Sequence, residues 1–265
     1  MRMRLIICLA VVLSVLMPSH GLADVIKSVL DRGTLRVGVS LFVPWTFNGT
    51  NDQLDGFDIA VAKQLAEDMG VQAEFKVYSL DAILSGLEKE EIDVIAAGLA
   101  ITPERALRVN FTQPYMESGI SLAANKKATE QIKSFEELDV TANKIGAVQD
   151  TLAMDFSKRF FKNAKIEVFS SVDEAEKAVI SGGVTVYVAS VPAVNFLALE
   201  HPDVIDAPLN KPLIASKAGL AVKKGEQEWL NFLNSWIISR TANKWLDTTY
   251  KYWFETIDWT GDVKR

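Results

Sequence analysis

The amino-acid sequence predicts an α/β fold in which parallel strands are joined by crossover helices. Short apolar runs that suit buried strands alternate with longer segments whose apolar residues recur every three to four positions. The alternation runs through a first βαβαβ series and then through a second set of elements in the middle of the chain. Successive units of this kind imply parallel sheets with helices packed on them. No Gly/Ser or charged linker, internal repeat or low-complexity tract divides the 265 residues, so one large core or two smaller ones fit the length.

The first 23 residues carry Arg2 and Arg4, an apolar run from Leu5 to Met17, and then Pro18-Ser19-His20-Gly21-Leu22-Ala23. That is the layout of a secretory signal peptide cleaved near Ala23, and the run is too short to span a bilayer comfortably. Cys8 lies inside it and would leave with it. The remaining 242 residues are expected to have no disulfide, thiol nucleophile or cysteine metal ligand, and to be exported.

Beyond the signal, Asp24–Asp31 reads as a helix and Thr34–Val39 as a strand, followed by Phe42, Trp45 and Phe47 around Pro44, aromatics that could wall a pocket. Asn48 to Gly56 is turn chemistry. From Gly56 to Gly70 the apolar positions Phe57, Val61, Leu65 and Met69 repeat every four, an amphipathic helix closed by glycine. Val71–Val77 reads as a strand, Ser79–Lys89 as a helix and Ile92–Ala97 as a strand. The second set comprises strands at Gly119–Ala124, Ile145–Val148, Lys165–Phe169 and Val184–Ala189. Its helices open at Ser134-Phe135-Glu136-Glu137, at Gln149-Asp150-Thr151, at Ser171-Val172-Asp173-Glu174 and at Val191; the first and third are capping boxes. Lys211–Val222 is extended, and two helices follow, from about Gly225 to Arg240 and from Thr241 to about Phe254. The closing aromatics Tyr250, Tyr252, Trp253, Phe254 and Trp259 sit at core-packing spacing.

Charge narrows the function. Without Arg2 and Arg4 the chain holds 26 basic against 34 acidic residues, a net −8, which argues against nucleic acid or an anionic membrane surface as partner. His201 is then the sole histidine, too few for a histidine-based triad or a zinc site, so neither metal nor cofactor is expected.

The most informative stretch is Gly98-Leu99-Ala100-Ile101-Thr102-Pro103-Glu104-Arg105. Small residues after a strand admit close approach to the backbone, Thr102 is a good N-cap and Pro103 suits the first helical turn. Free N–H groups there, with the planar Arg105 fork beside them, would form a carboxylate site. The plain alternative is a capped helix with a solvated arginine.

The motifs Gly33-Thr34-Leu35-Arg36-Val37-Gly38 with Pro44, Gly56-Phe57-Asp58-Ile59-Ala60, and Ile101-Thr102-Pro103-Glu104-Arg105 with Phe111-Thr112-Gln113-Pro114-Tyr115 resemble the bacterial extracellular solute-binding proteins that deliver amino acids to ABC importers. The resemblance spans essentially the whole chain beyond the signal. It implies a two-lobed type II binding-protein fold, each lobe a mainly parallel sheet flanked by helices. Two extended crossings, near Glu117–Ser121 and Pro212–Lys217, would join residues 24–118 with 215–265 to residues 119–214. One ligand would bind in the cleft by hinge closure, and a membrane permease would recognise the closed monomer.

The resemblance places Arg105 at the carboxylate clamp, Gly98 and Ala100 where backbone groups meet the ligand, and Phe42, Trp45 and Leu80 around its side chain. Thr151 falls where a helix start gives the carboxylate a second contact. Asp150 stands where the family usually has glycine, and Ser190 where it usually has the aspartate that holds the ligand's ammonium. Either Asp150 takes over that task or the ligand is a carboxylate without an α-amino group, an amino acid or close analogue being the favoured ligand; separately, the plain alternative for Asp150 is an ordinary helix N-cap. The family also contains dehydratases acting on prephenate- or arogenate-like substrates. Their general acid would have to be Asp155 here, because Leu152-Ala153-Met154 offer none, so no catalytic residue is expected. A ligand sensor acting on a membrane receptor in trans is the remaining alternative.

Overall fold

A computed structural model describes residues 25–264, so the signal peptide, Cys8 and cleavage near Ala23 lie outside the described residues. Among those residues no helix is long and apolar enough to cross a membrane. The chain opens with α1 (Val25–Arg32), β1 (Thr34–Val39), β2 (Phe47–Asn48), β3 (Leu54–Asp55), α2 (Phe57–Asp68), β4 (Gln72–Val77), α3 (Ile83–Glu88), β5 (Val94–Ile95), α4 (Pro103–Ala106) and β6 (Val109–Asn125). It continues through β7 (Lys144–Val148), α5 (Leu152–Phe160), β8 (Lys165–Phe169), α6 (Val172–Ile180), β9 (Val186–Ser190), α7 (Val191–Glu200), β10 (Ile205–Asp206), β11 (Ile214–Lys223), α8 (Gln227–Ala242) and α9 (Trp245–Glu255).

A mixed sheet runs in the order β4-β1-β5-β11-β6-β9-β7-β8, with β10 also on β6. β1 is parallel to β4 and β5, and β7 is parallel to β8 and β9. These are the two predicted parallel groups. Between them β11 and β6 pair antiparallel, with Ser216 opposite Ser118 and Lys217 opposite Glu117, so the two extended crossings lie side by side.

The local chemistry explains most element boundaries. α2 buries Phe57, Val61 and Leu65 completely or nearly so, each such side chain contributing about 1.5–3 kcal/mol through loss of apolar surface from water. It stops where Gly70 takes φ +69° and the Val71 N–H reaches back to the Ala66 carbonyl, a glycine-closed C-terminus. The aromatic tail packs as expected: Trp259 stacks on Phe47 and Phe196, and Phe254 meets Phe57 and Trp45. Tyr252 departs from this and stays 47% exposed.

Four expectations need correction. The strand foreseen at Gly119–Ala124 is the second half of the 17-residue β6, which runs through Pro114. The proline is accommodated because the β6–β11 register shifts on either side of Gly219, its partner, and a bulge removes the need for a ladder N–H. The turn at 48–56 encloses the small β2–β3 hairpin. Ser134 opens no capped helix: a 3-10 turn covers Glu136–Leu138 without a side-chain cap, because the Glu137 carboxylate accepts from the Lys133 N–H instead. The helix foreseen from Ser79 begins only at Ile83.

Candidate functional site

The C-terminal ends of β1, β5, β7 and β9 and the middle of the β6–β11 pair converge on one cleft, whose unfilled space measures about 680 Å³. Phe42, Trp45, Leu80, Gly98, Ala100, Arg105, Thr151 and Ser190 all line it, so eight of the nine residues singled out in the sequence come together. Asp150 does not: its side chain is exposed.

One wall is aromatic. Phe42 and Trp45 flank the cis Val43–Pro44 peptide and stack with centroids 4.5 Å apart, and Phe254 meets the Trp45 ring edge-on at 4.6 Å. The indole lies over Gly98, where a Cβ would come within 2.5 Å of Trp45 Nε1. Gly98 also holds φ +54°, so both the backbone and the packing require glycine there. Its N–H donates to the Tyr115 hydroxyl at 3.1 Å, and that hydroxyl donates to Asp58 Oδ1 at 2.6 Å. Asp58 is fully buried. Desolvation pushes its carboxyl up to about 7, against the lowering effect of the Tyr115 and Gly98 donors. Sequence reading missed the Asp58–Tyr115 support although both residues stand in the family motifs; no local signal showed that they meet.

Ala100 sits in a bridge with Ala218 whose hydrogen bonds come from flanking residues, Ile101 N–H to the Lys217 carbonyl and Gly219 N–H to the Leu99 carbonyl. The Ala100 N–H is left outside that pair. α4 is a single four-residue turn, and Thr102 Oγ1 accepts the Arg105 N–H at 3.3 Å. A free helix N-terminus therefore contributes little, and the guanidinium carries the positive charge. Arg105 Nη1 donates to the Ala100 carbonyl at 2.9 Å and Nη2 to the Asp150 carbonyl at 3.3 Å. Arg105 thus connects the β5 side of the cleft to the β7 side.

Among the described residues no carboxylate oxygen lies within 4.0 Å of that guanidinium. Burial lowers the Arg105 pKa from its ordinary value, opposed by the charges of Asp155 and Glu104, and arginine keeps its proton throughout the physiological range. Two hydrogen bonds leave three of its five N–H donors for a ligand.

The facing wall comes from α5 and α7. Thr151 is the N-cap of α5: its Oγ1 accepts the Met154 N–H at 3.1 Å and donates to the Val148 carbonyl at 2.7 Å. Asp150 is therefore not the cap. It holds φ +59°, a left-handed conformation in which glycine would be unstrained, and it meets Arg105 through its carbonyl. Ser190 is the N-cap of α7 with no side-chain cap bond, so its hydroxyl is not committed to the helix end as those of Thr102 and Thr151 are. Ser190 Oγ and Trp45 Nε1 are buried without a hydrogen-bond partner. Ser118, Tyr187 and Ser216 complete the polar lining; sequence reading missed them because only the crossing strands and β9 bring them here.

The profile of the bacterial extracellular solute-binding proteins, family 3, matches residues 35–256. An L-cystine-binding protein of Escherichia coli K12 is 26% identical over 250 residues, 94% of this chain and 93% of the relative. Among solved structures, an ancestral amino acid-binding protein that is a precursor of cyclohexadienyl dehydratase aligns with TM-score 0.79 and 33% identity, covering 88% of this chain and all of that one. A chain from Wolinella succinogenes, described as a binding component of an ABC transporter and complexed with lysine, aligns with TM-score 0.81 and 32% identity, over 86% of this chain and 99% of its own.

Proposed function

Because the chain belongs to the bacterial extracellular solute-binding proteins, family 3, we propose that it captures one small carboxylate, an amino acid or close analogue, in the periplasm and delivers it to an ABC importer. The observation that carries this reading is Arg105. Its guanidinium faces an otherwise uncharged cleft, free of any carboxylate partner and fixed through carbonyls on both sides. A planar fork held this way matches a ligand carboxylate.

In this reading residues 24–118 with 215–265 form one lobe and residues 119–214 the other, with the β6 and β11 crossings as hinges. Ligand first meets Arg105, the Gly98–Ala100 backbone and the Phe42–Trp45 wall. Closure then brings Thr151 and Ser190, and contacts to both lobes favour the closed form. The monomer is read by a permease in that form. Turnover is not part of the proposal: among the described residues no acidic side chain lines the cleft, and Asp155 is exposed outside that lining, so no carboxylic acid is placed to protonate a bound substrate.

The test is titration calorimetry on Arg105→Ala against the best binder from a panel of amino acids, 2-oxo acids and 2-hydroxy acids. Leaving a buried carboxylate unpaired costs about 3–5 kcal/mol, roughly a hundredfold to a few thousandfold in affinity. Unchanged affinity would refute the clamp.

A further inference from the structure

Building on that reading of the cleft, we infer that the ligand is a monocarboxylate with an apolar body and no ammonium group, of the 2-oxo or 2-hydroxy acid class. The charge count comes first. Among the described residues lining the cleft, Arg105 is the one charged side chain, and no Asp or Glu lies with it. The acids nearest its guanidinium in electrostatic effect, Asp155 and Glu104, are exposed and outside the lining. A zwitterion would bring a cation into a space that already holds one, with no anion to receive it. Burying an ammonium without an anionic or multiply accepting partner is strongly unfavourable.

The uncommitted polar atoms point the same way. Trp45 Nε1, buried and without a partner, is a donor only and cannot receive an ammonium. Ser190 Oγ is also unpartnered. It can donate to a 2-oxo oxygen or exchange a bond with a 2-hydroxyl, which one neutral hydroxyl does better than holding a charged amine. Thr151 has committed its proton to Val148. The rest of the lining is largely hydrocarbon, with Leu80, Leu99, Ile120, Val148 and Leu152 beside the aromatic wall. Beyond them the hydroxyl-bearing Ser118, Tyr187 and Ser216 are neutral, so a second carboxylate on the ligand would find no second cation among the described lining residues.

The experiment pairs acids that differ only at the α-position. The purified protein, unfolded and refolded to strip bound solute, is titrated with L-leucine against 4-methyl-2-oxopentanoate and its 2-hydroxy counterpart, and with L-phenylalanine against phenylpyruvate and 3-phenyllactate. L-Lysine and L-arginine, each with a second cationic group at the end of the side chain, serve as the most positively charged probes. The oxo or hydroxy member of a pair is expected to bind at least tenfold more tightly than its amino acid, and lysine and arginine are expected to bind least. Ser190→Asp, which places an acid on the cleft wall, is expected to reverse the preference by at least tenfold toward the amino acid.

Equal or tighter binding of the amino acid by the unmodified protein would overturn this inference while leaving the solute-binding reading intact. Absence of binding by every acid in the panel would overturn both. Should Ser190→Asp fail to fold, the paired titrations on the unmodified protein decide alone.

Discussion

Gly98→Ala probes the joint between the backbone of the cleft and its aromatic wall. Gly98 takes φ +54°, and an alanine in that left-handed region costs about 1–2 kcal/mol. The new methyl would lie 2.5 Å from Trp45 Nε1 and 2.7 Å from Cδ1, so the indole must retreat by about 1 Å to reach ordinary van der Waals separation. It has little room to do so. Phe42 stacks on one face at 4.5 Å, and Phe254 closes the other approach at 4.6 Å. Overpacking of such a site costs about 1–3 kcal/mol. With the backbone term the loss is about 3 kcal/mol, or about 6–12 °C in a chain of this size.

Urea unfolding followed by tryptophan fluorescence and circular dichroism would read the loss as a shift of midpoint at constant slope. In a Trp45→Phe background the smaller ring frees the space. The cost of Gly98→Ala should then fall to the backbone term of about 1–2 kcal/mol, leaving a coupling that the double-mutant cycle reports. A Gly98→Ala protein with the parent midpoint, or additive effects in the cycle, would refute the account of why glycine stands there.

Two further outcomes follow from the cleft's supports. Asp58 ionises at about 7 in the folded protein against about 3.9 in an unfolded chain, so its contribution to stability is complete below pH 4 and is lost as pH rises through 7. Asp58→Asn keeps an acceptor for Tyr115 and should flatten the fall in stability between about pH 4 and 7; an unaltered pH profile in chemical denaturation would show that Asp58 does not titrate there. Trp259→Ala removes the ring stacked between Phe47 and Phe196, at 5.3 and 5.0 Å. It should cost about 3–5 kcal/mol in thermal unfolding, and a loss below 1 kcal/mol would mean the tail is dispensable.

The sequence alone determined the succession of elements, because strands and helices announce themselves through period and punctuation. Val61 and Leu65 repeat on one helical face, Gly70 closes it, and Thr151 caps its helix as its side chain requires. Arg105, Gly98 and the Phe42–Trp45 pair could each be singled out from their local patterns, whereas their meeting at one cleft, across more than fifty residues of chain, is the work of the fold.

What only the tertiary structure decided are features that depend on residues far apart in the chain. β6 runs unbroken through Pro114 because β11, some hundred residues later, supplies a bulge opposite it. Asp58 reads locally as an ordinary helix-start acid, yet Tyr115 and the Gly98 N–H bury it beneath the cleft floor. Asp150 stood in a position where a side-chain role was open, and the fold turns that side chain outward and offers its carbonyl to Arg105. The cleft's charge balance is the clearest case: the chain is rich in acids, but which of them face a ligand is a property of packing, and packing leaves Arg105 without one.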